Sequence, residues 1–106
     1  MAFSASLVLP MSAPAEAYIV TMPSVGSTYA TVATQAVPAG SWLVAVEITA
    51  RAGYTNSDVI VNGTTILGGP AVNAPNGTAT VVTGPVTIQV QVRYVNSGKV
   101  YISKLP

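Results

Sequence analysis

The chain contains no cysteine and no histidine among its 106 residues. Without them there are no disulfide bonds and no thiolate or imidazole ligands, so a zinc site is not expected. The same two absences exclude nucleophilic catalysis by a serine–histidine or cysteine–histidine pair. No glycine-rich loop leads into a helix in the way that phosphate-binding loops do. We therefore expect no enzymatic activity, no bound metal and no cofactor.

Charged residues are scarce as well, at 7% of the chain against about 25% in a typical soluble domain. The three carboxylates are Glu16, Glu47 and Asp58, and each falls in a different predicted element, so no pair suited to acid–base catalysis is expected. Asp58 and Asn56 could bind calcium, but the Asn-Ser-Asp sequence is more typical of a turn. The four basic residues are scattered, which disfavours nucleic-acid binding.

The low charge has two interpretations. Thr, Ser, Asn and Gln can replace charged residues on the surface of a β-protein that remains a monomer. Alternatively, much of the surface is covered by other subunits, because charges are costly to remove from water at an interface. A free monomer usually keeps more charge than this to stay soluble. We favour an assembly and keep the monomer as the alternative.

No run of apolar residues approaches the roughly 18 needed for a membrane-spanning helix. Residues 3–11 are apolar, but no Lys or Arg precedes them and Pro10 interrupts them. A secretory signal peptide normally has a basic start followed by an unbroken apolar stretch. We therefore expect neither a signal peptide nor a membrane partner.

Residues 37–51 are the segment around which we expect the fold to be arranged. After a Pro-Ala-Gly turn, apolar residues occupy every second position, namely Trp42, Val44, Val46 and Ile48. Such alternation is typical of a strand with one buried face. The opposite face carries Leu43 and Ala45 before Glu47, which is unusually apolar for a solvated surface. We expect this strand to be covered on that side by a neighbouring subunit.

Turn-forming residues divide the rest of the chain into short strands. Asn62-Gly63 predicts a hairpin between 58–61 and 64–67, because a type I′ turn requires two positive φ angles. We expect Asn76-Gly77 to form a second such turn. Other predicted turns are residues 24–27, Pro38-Ala39-Gly40 and Asn96-Ser97-Gly98, and Gly84-Pro85 is predicted to be a corner. Other predicted strands are 3–9, 17–22, 28–37, 78–83, 86–95 and 99–105.

This pattern predicts an all-β protein with eight or nine short strands and no helix. Strands at this spacing are typical of an antiparallel β-sandwich, here of jelly-roll type. We expect one domain over residues 18–106. Residues 1–17 precede it as an arm or an added edge strand with a proline-rich loop.

Three segments resemble a known family of virion proteins. They are Val-Pro-Ala-Gly-Ser-Trp-Leu-Val-Ala-Val-Glu-Ile-Thr at 37–49, Val-Asn-Gly-Thr at 61–64, and Val-Thr-Ile-Gln-Val-Gln-Val-Arg-Tyr at 86–94 followed by residues 98–105. Together they resemble the small jelly-roll head domains of tailed-phage virion proteins. Those domains are similar in layout to tumour-necrosis-factor-like trimeric heads. The resemblance covers about residues 28–106.

The resemblance implies a homotrimer located in the virion, with no catalytic residues. Heads of this family usually crown a fibrous stalk. We expect no stalk here, so the chain looks more like a capsid decoration (cement) protein. Its partners would be the major capsid protein or another virion protein. The residues expected at the subunit or capsid interface are Phe3, Leu7, Leu9, Leu43 and Ala45.

The alternative function is a receptor-binding or glycan-binding head of a phage tail fibre or baseplate. Aromatic side chains often stack on sugars, and Tyr54 in a predicted loop and Tyr101 on a predicted outer face are the candidates for contact with a partner or a cell-surface glycan. Trp42 and Tyr94 share strand faces with Val and Ile, so we expect both to lie in the core instead.

Overall fold

The computed structural model describes residues 16–50, 58–67 and 75–106. These residues contain no helix, and hence no helix long and apolar enough to cross a membrane. Their six strands are β1 (Ala17–Met22), β2 (Ala30–Ala50), β3 (Asp58–Val61), β4 (Thr64–Leu67), β5 (Pro75–Arg93) and β6 (Val95–Lys104). They form one antiparallel sheet in the order β1-β6-β2-β5-β3-β4. The predicted all-β antiparallel class is confirmed.

The two long strands, β2 and β5, run through both halves of this sheet. Residues 30–37 of β2 pair with residues 86–92 of β5, whose other edge pairs with β3. We call this part, with β4, the β3 half. Residues 40–49 of β2 pair with residues 75–84 of β5 on one side and with β6 on the other, and β1 lies beyond β6. This second part is the β6 half.

Strand β2 bends back on itself between the two halves. Ala30 pairs with Val92 and Ala50 pairs with Val95, so the two ends of β2 lie beside residues only three apart in the chain. A straight strand of this length would span about 66 Å, whereas three residues span at most about 11 Å. The register is interrupted between Val37 and Gly40, which marks the position of the bend.

The turn predicted at 38–40 does not separate two strands, because β2 continues through it as a bend. The corner predicted at Gly84-Pro85 coincides with this bend, although β5 also continues through it. Two residues of β2 here oppose one residue of β5, as in a β-bulge. A Cβ atom on Gly84 would lie 2.0 Å from the Pro38 carbonyl oxygen, so this position requires glycine for a close backbone approach. The bulge joins segments that the sequence analysis divided, which gives fewer and longer strands than expected.

The two Asn-Gly pairs have different structures. Asn62 and Gly63 have φ angles of 47° and 81°, and they form the predicted turn between β3 and β4. The turn predicted at Asn76-Gly77 is wrong, since these residues continue β5 and pair with Ile48 and Glu47. A long ladder with β2 therefore overrides the local turn preference of the second pair.

The connection between β5 and β6 is also displaced from its predicted position. A turn was expected at Asn96-Ser97-Gly98, but β6 begins at Val95, and the residue between the strands is Tyr94, with a φ angle of 59°. A Cβ atom on Gly98 would lie 2.5 Å from the Glu47 carbonyl oxygen. Gly98 is therefore a site of close strand packing rather than a turn.

The inner faces of both halves supply one hydrophobic cluster, which includes Ile88 and Val90 from one half and Val100 and Ile102 from the other. The predicted inner face of β2 is confirmed: Trp42, Val44, Val46 and Ile48 are at most 1% exposed. Burying each such side chain stabilises a fold by roughly 1.5–3 kcal/mol. The indole N–H of Trp42 donates to the Pro38 carbonyl oxygen at 3.1 Å, which links the core to the bend.

Candidate interaction faces

The outer face of the β6 half is built from two rows of directly paired residues, which share one side of the sheet. In one row Ile19 pairs with Tyr101, Tyr101 with Ala45, and Ala45 with Ala79. In the next row Ala17 pairs with Ser103, Ser103 with Leu43, and Leu43 with Val81. We define the apolar face as Ile19, Leu43, Ala45, Ala79, Val81 and Tyr101.

Exposure is greatest at the two margins of the apolar face. Ile19 in β1 is 66% exposed and Val81 in β5 is 53% exposed. They are the exposed large hydrophobic residues of the described part of the chain. Leu43, Ala45 and Tyr101 lie between them and are half-buried by their neighbours. Apolar side chains therefore continue across four adjacent strands, which is the feature expected of a surface that another molecule covers.

Polar groups border the apolar face at one end. A third row lies beside the row of Tyr101, on the side away from Leu43. In it Thr21 pairs with Lys99, and Lys99 pairs with Glu47. The Tyr101 hydroxyl donates to Glu47 Oε1 at 3.2 Å. Partial burial raises the pKa of Tyr101 above its ordinary value, and the negative charge of Glu47 and the hydrogen bond to it act in the same direction. A shallow depression follows, with Thr49 and further residues in its lining.

The outer face of the β3 half is mainly polar. Thr31 pairs with Gln91, which pairs with Ile60 on its other side, and Thr34 pairs with Gln89. We define the polar face as Thr31, Thr34, Ala36, Ile60, Thr65, Thr87, Gln89 and Gln91. Apart from the half-buried Ile60 and Gln91, these residues are exposed. Hydroxyl and amide groups interact well with water, so this face needs no partner.

An ion pair lies at the end of the polar face. Asp58 is only 6% exposed, and its Oδ2 atom accepts hydrogen bonds from Arg93 Nε and from the Tyr29 hydroxyl, the latter at 3.0 Å. The Arg93 guanidinium lies 4.5 Å from the ring centre of Tyr29 and 5.2 Å from that of Tyr94. The four side chains hold the chain where it passes from β5 to β6.

The cluster also shifts the pKa values of two of its members. Burial raises the pKa of Tyr29 above its ordinary value, and the hydrogen bond to Asp58 raises it further. The hydrogen bond to Asp58 is likewise the main reason why the pKa of Arg93 is raised. Sequence analysis missed the ion pair of Asp58 and Arg93. The available signal was that Asp58 opens one predicted strand and Arg93 lies near the end of another, in a chain with few charges.

The structure brings three of the predicted contact residues together, since Leu43, Ala45 and Tyr101 are neighbours on the apolar face. Phe3, Leu7, Leu9 and Tyr54 lie outside the described residues.

Sequence analysis missed Ile19 and Val81. Ile19 could have been noticed, because apolar residues occupy both alternating faces of Tyr18-Ile19-Val20. Assigning Val81 to the same surface required the register of β2 and β5.

Neither face contains the ligands of a metal site. Within residues 16–50, 58–67 and 75–106, no three Asp, Glu, His or Cys side chains come together in a way that could hold a metal ion. Comparisons of the chain with protein-family models, curated proteins and solved structures found no match.

Proposed function

We propose that this chain is a structural protein of a tailed-phage virion, a decoration (cement) protein that reinforces the capsid and acts by assembly rather than catalysis. The observation that carries the proposal is the apolar face, where Ile19 and Val81 are more than half exposed at the margins of a continuous apolar surface. The low charge of the chain and its resemblance to phage head domains support the same proposal.

The size of the apolar face indicates what kind of contact it makes. Four strands about 4.8 Å apart and two rows about 7 Å apart give a patch of roughly 19 by 14 Å. That is about a third of the roughly 800 Å² that each partner contributes to a stable interface. A patch of this size favours several contacts that act together, as in a homotrimer held on a shell. It is too small for a single tight interface between two partners.

We also infer that the bent sheet forms a two-layer sandwich of jelly-roll type. Buried side chains from both halves belong to one cluster, and the described residues include no helix that could cover either inner face. A sheet folded at the bulge buries both inner faces against each other. Both outer faces are then left for water or for partners.

Glycan binding by a tail-fibre or baseplate head is the alternative, and the contacts of Tyr101 bear on it. Its hydroxyl is bonded to Glu47, and its paired neighbours are Ile19 and Ala45. Sugar-binding aromatic rings are usually surrounded by polar groups that bind the sugar hydroxyls, whereas the two residues paired directly with Tyr101 are apolar. The surroundings therefore favour a protein partner.

The proposal predicts that Leu43→Asp weakens assembly more than folding. A carboxylate at the centre of the apolar face would have to be desolvated in any complex, whereas in the free chain it can reach water at the half-buried surface. Association would be measured by light scattering and sedimentation over a range of concentrations, and folding by thermal denaturation. Thr34→Asp places the same charge on the polar face and should leave association unchanged.

Two results would contradict the proposal. If Leu43→Asp unfolds the chain at the concentration where the parent is folded, Leu43 belongs to the core. If neither the purified chain nor a mixture with capsid shells shows association, the face has no such role. A density map of the intact particle would locate the chain on the shell, or at the tail tip as the alternative requires.

A further inference from the structure

Strand β1 forms one edge of the sheet, and it lacks the features that usually prevent edge strands from pairing. Among the described strands, its only neighbour is β6. Natural edge strands are usually protected by charged residues, prolines or bulges. The six residues of β1 include no charged residue and no proline, and their register with β6 is unbroken.

The backbone groups on the open side of β1 can be identified from the register. Lys104 N donates to the Glu16 carbonyl oxygen at 2.8 Å, so these two residues form a hydrogen-bonded pair. In an antiparallel ladder such pairs alternate with pairs that are not bonded. The N–H and C=O groups of Ala17, Ile19 and Thr21 therefore point away from β6, toward the open edge.

These three residues are symmetric about Ile19, which makes the edge complementary to a second copy of itself. If β1 strands from two copies meet antiparallel with Ile19 opposite Ile19, Ala17 faces Thr21 of the other strand. All the outward backbone groups then find partners. A shift of two residues in either direction leaves some of them unpaired or places Pro23, which has no N–H, in the ladder.

The side chains fit this register on both faces of the sheet. On the outer face the two Ile19 side chains meet, and the apolar faces of the two copies become continuous. On the inner side Tyr18, which is half-buried and packs against the core, lies opposite Val20 of the other strand. No two like charges oppose each other along the strand, which would have disfavoured the pairing.

We propose that two copies of this chain pair through their β1 edges about a two-fold axis at Ile19, joining two six-stranded sheets into one. This pairing uses backbone groups of β1, whereas the assembly proposed above uses side chains of the apolar face. It does not depend on a role in a virion. Together, pairing through edges and assembly through faces would link trimers into larger arrays.

The test uses the absence of cysteine from the chain. In the full-length Ile19→Cys variant the two sulfur-bearing residues would face each other about 5.5 Å apart between Cα atoms, within disulfide range. Mild oxidation should therefore give a covalent dimer in high yield. Thr21→Cys is the matched control on the same strand, since its counterpart would lie about 14 Å away. An equimolar mixture of Ala17→Cys and Thr21→Cys should again give a dimer.

A second pair of variants distinguishes pairing through the β1 edge from association through the apolar face. Ile19→Pro removes an N–H that makes no bond to β6, and Ile19→Ala removes the apolar side chain but keeps that N–H. Pairing through the edge predicts at least a tenfold larger loss of association for the Pro variant, measured by sedimentation. The proposal is overturned if Ile19→Cys remains monomeric, as it would if residues 1–15 cover the edge. Equal crosslinking of Ile19→Cys and Thr21→Cys would also overturn it.

Discussion

The β3 half and the β6 half share two strands and one core, yet their outer faces differ. Along β2 the outward positions are Thr31 and Thr34 in one half and Leu43 and Ala45 in the other. The inner faces are alike, with Val and Ile in both halves and the single Trp42 in the β6 half. The inner pattern is therefore what the fold requires. The outer pattern reflects what each half meets, which is water for the polar face and, we propose, another subunit for the apolar face.

The two halves also differ in how they place their few charges. In the β3 half Asp58 is buried under Arg93 and Tyr29. In the β6 half Glu47 and Lys99 are exposed at the end of the apolar face. A buried, hydrogen-bonded pair contributes to a specific local structure, whereas exposed charges contribute little to stability. The charges of the first half thus stabilise a local structure, and those of the second border the proposed contact surface.

The largest expected effect is that of Gly84→Ala, which tests whether the halves depend on the bend that joins them. The added Cβ would overlap the Pro38 carbonyl oxygen, which is backbone and cannot rotate away. We expect a loss of about 3 kcal/mol or more in the free energy of unfolding. Urea denaturation followed by tryptophan fluorescence would measure it, because Trp42 donates to that same oxygen.

Gly63→Ala is the control for this prediction. Gly63 has a φ of 81°, and nothing lies within 4 Å of a Cβ atom built on it. The substitution should lower the free energy of unfolding by only about 1 kcal/mol, because alanine is unfavourable in a left-handed backbone conformation. If the two variants are equally stable, the close approach at Gly84 does not constrain the fold, and the halves can be regarded as independent.

A smaller effect is expected from Arg93→Ala, which tests the electrostatic difference between the halves. The change leaves the buried Asp58 carboxylate with the Tyr29 hydroxyl and without its cationic partner. Lys99→Ala removes the same charge from an exposed position and should change the free energy of unfolding by less than about 0.5 kcal/mol. Chemical denaturation should show Arg93→Ala as clearly the less stable variant. Equal midpoints would mean that the Asp58–Arg93 pair is only a surface contact.

The smallest expected effect concerns alkaline pH. Because the pKa of Tyr29 is raised in the folded state, the folded chain keeps this proton to higher pH than the unfolded chain. The resulting stabilisation is complete below the ordinary pKa near 10 and is lost as the pH rises through the folded value. Urea midpoints measured between pH 8 and 11 should fall less steeply in Tyr29→Phe than in the parent.

A comparison with Tyr101 would refine this prediction. The pKa of Tyr101 is also raised, through burial and Glu47. Tyr101→Phe should therefore flatten the same alkaline slope by a separate amount, and the double variant should flatten it further. If Tyr29→Phe leaves the slope unchanged, the hydrogen bond to Asp58 does not persist in solution.

Side-chain periodicity and turn residues predicted the parts of the fold that depend on local pattern. Periodicity gave the inner face of β2, while the turn and breaker residues Asn62-Gly63 and Pro23 gave the hairpin and the end of β1. Sequence analysis treated Gly40, Gly84 and Gly98 as breaks between strands, although all three lie within strands. At Gly84 and Gly98 glycine is required by a close backbone approach, which the sequence does not distinguish from a turn. Only the register between distant strands distinguishes these cases, and one sequence does not contain it.

The candidate face was predictable only in its centre, for the same reason. Leu43 and Ala45 stood out because they lie in one strand with a clear alternation. Ile19 and Val81 join them through pairings across three other strands. The ion pair of Asp58 and Arg93 likewise depends on the register of β3 with the end of β5, which no local pattern indicates.

The ladder between β2 and β5 has a further consequence for how quickly the chain folds. Its first pair, Thr49 with Pro75, joins residues 26 positions apart, and its last, Ala30 with Val92, joins residues 62 apart. Contacts so distant in sequence make folding slow, typically milliseconds to seconds for β-proteins. If pairing advances from Thr49 toward Ala30, Gly84 must meet Pro38 midway. That meeting fixes the register, since a strand slipped by two residues would bring a side chain against the Pro38 carbonyl.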